Sequence, residues 1–599
     1  MRKKLYDRLT TQAASAVVLS VLLIAALPVF AAENTVIPTD DKIPTDDMGL
    51  PQWQIRQWNN VPVRLELADQ AAVRQMLAQV PLADFTREDL APGPQGWVVE
   101  TRVTPAEESA LLAAGYTLTR LPDREKEGRQ AAENAWAKQI VADKSDVGAV
   151  NYYPTHPQIG TLLADLATNY PTICRTFSMG QSVQGRELWG LVVSGDVNNT
   201  AAEPEVLLTS TMHGDEVVGM ILLLNLAHHL AENYGQPGYT DLTDLVNTTE
   251  IHIMPLHNPD GYVAGTRYNA DFYDLNRNFP LPTGFDPVTA IENLNYMAYA
   301  NAHHFVVSEN GHGGALVVNY PWDHIYALAP DDLAMIQLSL EYSTYNLPMF
   351  NGAFTDGITN GAAWYRVDGG LQDWAYDQTG CINVTIEQSN IKWPLASTLP
   401  GYWDDNRESL LHFIDAADFG VSGVVTDLIN GIPLDAVVTV TGNIKTVSTD
   451  PAHGDYYKLV DTGTHELTFS TEGYHSKTVS GVSTTWGTPT VLDVQLAPVA
   501  TPVPGAGSLV TAVAAWPNPF NPSTKLAITV PAAGPVDLAV YDLRGRVVRS
   551  LLSAELAAGV HPVIFDGRSD EGAVLPSGVY FARARTIAGH ATTKLLLVK

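Results

Sequence analysis

Short apolar runs of β type alternate with longer stretches of helical spacing from residue 152 to residue 417, and this alternation limits the fold more than any other feature. The runs are EVLLTST, TEIHIMPL, HFVVSEN and INVTIE, and the helical stretches include IGTLLADLATNY and VVGMILLLNLAHHLAENY. Near-continuous apolar strands are buried on both faces, and the intervening helices supply the cover. The expectation is an α/β domain with a mixed, largely parallel sheet and helices on both faces. Sites in such sheets gather at the carboxyl ends of strands.

A chain of 599 residues exceeds what one core can organise. Residues 61–122 read β-α-β-α: VPVRLEL and WVVETRV alternate, DQAAVRQMLAQV has helical spacing, and Thr104 with Glu107 forms a capping-box pattern. A small α+β domain is expected there. A polar leader (32–60) precedes it and a charged, helix-prone connector (123–151) follows. After residue 417 the texture is all-β. Two sandwiches are expected, over 418–498 and 516–599, joined by a Pro-rich linker over 499–515.

At the N-terminus Arg2, Lys3 and Lys4 precede an apolar stretch from Ala16 to Leu27, and small residues end at Ala31. The stretch is shorter than the ~20 residues needed to span a bilayer, so residues 1–31 read as a cleaved signal peptide. Cys174 and Cys381 allow at most one disulfide, and the count leaves open whether it forms. A net charge of −30 excludes nucleic acid as a partner and is compatible with cationic substrates.

Four clusters carry chemistry. His213 and Glu216, in HGDE, directly follow the strand EVLLTST, and a His and a Glu three apart at a strand end can chelate one ion. His312 stands among glycines after HFVVSEN, where it is exposed to close approach. Asp274, Asn276 and Arg277 lie in DLNRNF, with Arg267 upstream. Glu387 lies inside the β-type run VTIE, and a carboxylate buried there needs a partner or a function. His228-His229 and His303-His304 read instead as ordinary helix or surface residues.

The segments PEVLLTSTMHGDEVVG, NPDGYVAGTRYNADFYDLNRNFP, HGGALVVNYPWD, GITNGAAWYRVDGGLQDWAY and CINVTIEQSNIKWP follow one another in an order and spacing that resemble the zinc carboxypeptidase family. Within it they resemble the regulatory branch typified by carboxypeptidases N, E, D and M. The resemblance implies a secreted, zinc-dependent peptidase removing a C-terminal residue, with Lys or Arg as the expected residue and one Zn2+ per chain. It implies His213, Glu216 and His312 as zinc ligands, with Asp274 orienting His213. Asn276, Arg277 and Tyr365 would hold the substrate carboxylate and Arg267 would polarise the scissile carbonyl. Glu387 would take a proton from zinc-bound water and deliver it to the leaving amine. Asp323 and Gln372 match the positions that meet a basic side chain. Met220 stands where many branch members carry Arg, a departure expected to matter little.

The flanks resemble known modules less sharply. Residues 61–122 are propeptide-like, the first sandwich resembles a transthyretin-like domain, and WPNPFNPST onward resembles the sorting domain of bacterial type IX secretion cargo. The sorting-domain resemblance implies delivery by secretion machinery; a monomer, secreted or at the surface of a bacterium and acting on peptide or protein C-termini, is expected. Two alternatives stay open: the same fold with apolar or cell-wall peptide specificity, and an inactive binding module.

Overall fold

The computed structural model describes residues 60–138, 150–281, 290–499 and 511–598, apart from residues 83–84, 87–88 and 200. The expected signal peptide, most of the leader and linker, and part of the connector lie outside the described residues. The chain divides into two compact units, residues 1–497 and 498–599.

The first unit opens with the α+β domain. Strands β1 (Val61–Leu67), β2 (Leu90–Gly93), β3 (Gly96–Val103) and β4 (Thr119–Arg120) form an antiparallel sheet in the order β2-β3-β1-β4. Helices Gln70–Gln79 and Pro105–Ala113 accompany it. The capping box read from the sequence is present: Glu107 N donates to Thr104 Oγ1 at 3.2 Å and Thr104 N donates to Glu107 Oε2 at 2.7 Å. The connector carries the helix Arg124–Ala137. Its Trp136 packs edge-on against Tyr262 and Trp393, so the connector is bound to the domain that follows.

The central domain is one eight-stranded sheet: β5 (Cys174–Gln181), β6 (Glu187–Val193), β7 (Glu205–Ser210), β8 (Glu250–Met254), β9 (Phe305–His312), β10 (Leu316–Tyr320), β11 (Ile358–Asn360) and β12 (Ile382–Gln388). Their order is β11-β10-β12-β9-β7-β8-β6-β5. The middle run β12-β9-β7-β8 is parallel, as is the edge pair β10-β11, and the remaining pairings are antiparallel. Helices His156–Asn169, Val218–Asn233, Asp332–Ser343 and Leu399–Asp415 pack a large apolar core on one face. Ile291–Ala300 and Leu371–Thr379, with Leu275 and Phe279, build a second core on the other. Met220 is fully buried in the first core. His228 and His229 lie on its helix and bond within it, to Glu232 and Asn233. Cys174 and Cys381 are both buried and free.

The sandwich after residue 420 has strands from Val421–Asp427 to Val494–Leu496 in two sheets. It shares the larger core of the central domain, to which it contributes Leu459 and Trp486. Lys458 Nζ reaches Asp331 Oδ2 at 2.8 Å with both side chains buried, and Asn443 Nδ2 donates to Asp331 Oδ1 at 2.6 Å. The second unit is a separate two-sheet β sandwich with its own core, including Phe520, Leu538 and Phe565.

Glu309, on β9, is fully buried, and its carboxyl has no hydrogen-bond partner among the described residues. Burial pushes its carboxyl up to about 8, against an ordinary value of 4.5. Below pH ~4.5 both folded and unfolded chains hold this proton and folding carries no penalty. Between that point and pH 8 the unfolded chain releases the proton while the folded chain keeps it, so stability declines. Glu309→Gln removes this dependence. Calorimetry of the two proteins should therefore show near-equal midpoints at pH 4–5 and a variant stabilised by about 2–5 kcal/mol at pH 8.

Candidate active site

The parallel run fixes where the chemistry sits. Ser210 of β7 is the register partner of Gly311 on β9, and His312 on β9 is the partner of Glu387 on β12. The carboxyl ends of three adjacent strands thus deliver His213, His312 and Glu387 to one edge of the sheet. The turn after β7 is held in a conformation unusual for a β-branched residue: Thr211 has φ 56°. Two hydrogen bonds impose it, from Thr211 N to Gly311 O at 3.1 Å and from Thr211 Oγ1 to Glu216 O at 3.0 Å. Gly214 lets this turn press against the backbone near residue 261, since a Cβ there would lie 2.0 Å from Gly261 C.

The turn brings His213, Glu216 and His312 together, all buried, with one ligand atom from each within 4.8 Å of the others. His213 Nδ1 and His312 Nδ1 lie 3.0 and 2.8 Å from the same oxygen, Glu216 Oε2. His213 Nε2 lies 3.0 Å from Asp274 Oδ1. An ionised carboxylate only accepts, and both ring nitrogens of His213 face one, so each donates here; a metal bound at Nδ1 would take the place of that proton and leave Nε2–H on Asp274. Two imidazoles and a carboxylate converging in this way are the donor set of zinc, and the residues fit that ion. Burial and Arg267 push the His213 imidazole down, but Glu216 and Asp274 outweigh them and raise it. Burial also opposes ionisation of Glu216 and Asp274. Glu216 is nevertheless held well below the usual range by His213 and Lys392, and Asp274 by Arg267 and His213. The two carboxylates are thus balanced by a guanidinium, an ammonium and the imidazoles around them.

Arg267 bridges the two carboxylates, with Nε 2.9 Å from Asp274 Oδ2 and Nη1 3.3 Å from Glu216 Oε1. Lys392, which sequence reasoning missed, reaches Glu216 Oε1 at 3.0 Å. Its signal was only its place, five residues past Glu387 in the matching segment. Glu387 is fully buried beside His312.

Most of the other expected residues lie on segments joined by hydrogen bonds. Asn276 Oδ1 accepts from Leu371 N at 2.9 Å, and Arg277 Nη1 donates to Asn276 O at 3.0 Å. Asp323 is fully buried and accepts from Asn319 Nδ2 at 3.2 Å. Gln372 Oε1 accepts from Thr385 N at 3.2 Å, two residues before Glu387. The Gly361 backbone lies close against the Asp323 carboxylate, since a Cβ there would stand 1.8 Å from Oδ1. A Cβ on Gly370 would approach both Asp323 and Asn276, at 3.2 and 3.6 Å, so those two groups border one space. Tyr365 packs against Phe85 of the N-terminal domain, with ring centroids 6.2 Å apart.

Comparison with known proteins agrees with this geometry. The zinc carboxypeptidase family model matches residues 159–409. Carboxypeptidase D of Mus musculus is 42% identical over 353 residues, covering 54% of this chain and 25% of its own length. Carboxypeptidase SOL1 of Arabidopsis thaliana is 37% identical over 343 residues, covering 55% of this chain and 69% of its own. The chain belongs to the zinc carboxypeptidase family. It spans about a quarter of the length of the carboxypeptidase D relatives. The crystal structure of carboxypeptidase A from Helicoverpa armigera shares the fold, with TM-score 0.50 and 17% identity over 60% of this chain and 97% of that one. A carboxypeptidase regulatory-like domain matches residues 420–497, the span read as the first sandwich. An FlgD Ig-like domain matches residues 518–589.

Zinc is the cofactor of the family, and His312→Ala tests its seat here. Metal analysis should find one zinc fewer per chain than in the wild type, with hydrolysis lost. Native zinc content in that variant would remove His312 from the ligand set.

Proposed function

We propose that this protein is a secreted zinc metallocarboxypeptidase that releases C-terminal Lys or Arg from peptides and proteins. The observation that carries the reading is the convergence of His213 Nδ1 and His312 Nδ1 on Glu216 Oε2, at 3.0 and 2.8 Å, with Glu387 in register beside His312. A zinc ion held by His213, Glu216 and His312 would supply Lewis acidity toward a carbonyl oxygen and acidify water. The chain's own groups divide the remaining work. Glu387 accepts the proton of the attacking water and returns it to the leaving amine. Arg267, poised 3.3 Å from Glu216, donates to the oxygen on which negative charge develops. Asn276 and Arg277 fix the terminal carboxylate, so that only a chain end fits.

Basic specificity rests on Asp323. Taking a Lys or Arg head group out of water is costly unless an opposite charge meets it, and the Asp323 carboxylate lies close to the backbones of Gly361 and Gly370, neither of which brings a side chain against it. Apolar or cell-wall peptide specificity is the alternative and would leave Asp323 idle.

The N-terminal domain supports a further reading, that it restrains the site as a propeptide would. Besides Phe85 on Tyr365, Gln70 Nε2 donates to Trp364 O at 2.9 Å and Trp364 Nε1 donates to Leu90 O at 2.7 Å. Tyr365 would have to leave these contacts to close on a substrate. Secretion as a monomer through residues 1–31, with the C-terminal unit engaging bacterial delivery machinery, completes the proposal. It rests on the N-terminal charge and hydropathy pattern and on the independent C-terminal sandwich.

Three measurements test these statements. Glu387→Gln should keep zinc and lose kcat by about 100- to 10,000-fold; a loss under about tenfold would assign the base elsewhere. Wild type should favour a peptide ending in Arg over its Phe-ended counterpart by at least ~100-fold in kcat/KM. Asp323→Ala should lower the Arg-ended value by roughly 30- to several-thousand-fold and leave the Phe-ended one little changed. The double variant Gln70→Ala, Phe85→Ala should raise kcat/KM several-fold if the N-terminal domain restrains Tyr365, and unchanged kinetics would make that domain a packing partner only.

A further inference from the structure

The catalytic strands carry ligand-type side chains at both ends. β7 begins at Glu205 and leads at its far end to His213, and β9 is preceded by His303 and ends in His312. At the amino end Glu205 and Glu250 are register partners on adjacent parallel strands. His252, on the same strand as Glu250, is fully buried, with Nε2 2.9 Å from Glu250 Oε1. His303 Nδ1 lies 3.0 Å from Glu205 Oε1. One ligand atom each from Glu205, His252 and His303 fall within 4.8 Å of one another, and among the described residues only the catalytic triplet does the same.

The likeness extends to the rings. His252 and His303 have centroids 4.7 Å apart at 73°, and His213 and His312 have centroids 4.6 Å apart at 69°. A purely structural account covers part of this: a neutral His252 donates to Glu250 and accepts from Tyr299 Oη at 2.6 Å. It does not explain two carboxylates paired across adjacent strands, with a second imidazole turned toward one of them. The cluster borders a cavity of about 180 Å³ between the central domain and the sandwich, lined by five acids (Glu203, Glu205, Glu250, Asp450 and Asp455) against the cations Arg175 and Lys458. Lys458 is already committed to Asp331.

We propose that Glu205, His252 and His303 form a second divalent-cation site, with Glu250 able to supply a fourth oxygen. Two imidazoles with carboxylate suit zinc or a neighbouring late first-row ion over calcium or magnesium, which take all-oxygen shells. The site is structural. It ties the amino ends of β7 and β8 to the turn entering β9, and ligands and substrate pocket at the other edge of the sheet are untouched by it.

The test is zinc stoichiometry on the full chain, stripped with chelator, re-equilibrated at about 10 µM free zinc and freed of excess, a level that fills sites of micromolar or tighter Kd. Wild type should hold two zinc ions. His303→Ala and Glu205→Gln should each hold one and keep kcat/KM within about twofold, whereas His312→Ala should hold one and be inactive. Zinc should raise the Tm of His312→Ala but not that of the His303→Ala, His312→Ala double variant. A single zinc in wild type, lost in His312→Ala and kept in His303→Ala, would overturn the second site while leaving the catalytic one standing. The wild-type count decides even where a variant fails to fold.

Discussion

Everything at the active edge depends on the parallel register of β7, β9 and β12. Parallel neighbours end on the same side of a sheet, so three chain segments far apart in sequence present their last residues together. Ser210 opposite Gly311 and His312 opposite Glu387 set His312 and Glu387 side by side before any loop contributes. The loops then adjust aim. The strained Thr211 turn directs His213, and the Asp274 carboxylate, capping a short helical turn, fixes which nitrogen of His213 faces inward.

Placing this much charge in a dry interior is tolerable only because the charges are networked. Glu216 meets two imidazoles, a guanidinium and an ammonium, and Asp274 meets His213 and Arg267. Isolated buried ions of this kind would shift their pKa values until neutral. Glu309 illustrates that alternative three residues before His312: it lacks a partner among the described residues and is held in its protonated form. The same strand thus carries both solutions to burying an ionisable group.

Much of this was legible in the sequence because it was local or periodic. The Thr104–Glu107 cap is a three-residue pattern, the alternation of strands and helices gives the layered sheet, and the ligand positions follow ordered motifs. What was not legible depends on residues distant in sequence. Nothing near Lys392 announces that it reaches Glu216, nothing near Lys458 points to Asp331, and His303 reads as a surface residue until β7 places Glu205 against it. The sheet also proved less parallel than the apolar runs implied, because β5, β6 and β10 turn back along their neighbours. Tyr365 was read as part of the carboxylate clamp, and nothing near it in the sequence announces its contact with Phe85 of the N-terminal domain.

The Lys458–Asp331 pair has a bearing on how such proteins can change over time. Asp331 belongs to the central domain and also accepts from its own Tyr376, while Lys458 and Asn443 arrive from the sandwich. Losing one partner of a buried pair costs about 3–5 kcal/mol, a large share of a domain's stability. The two modules are therefore poor candidates for independent shuffling. A sandwich borrowed from a relative lacking the lysine would strand the aspartate, so the two are expected to be inherited as a matched set, while the self-contained C-terminal unit is free to be exchanged.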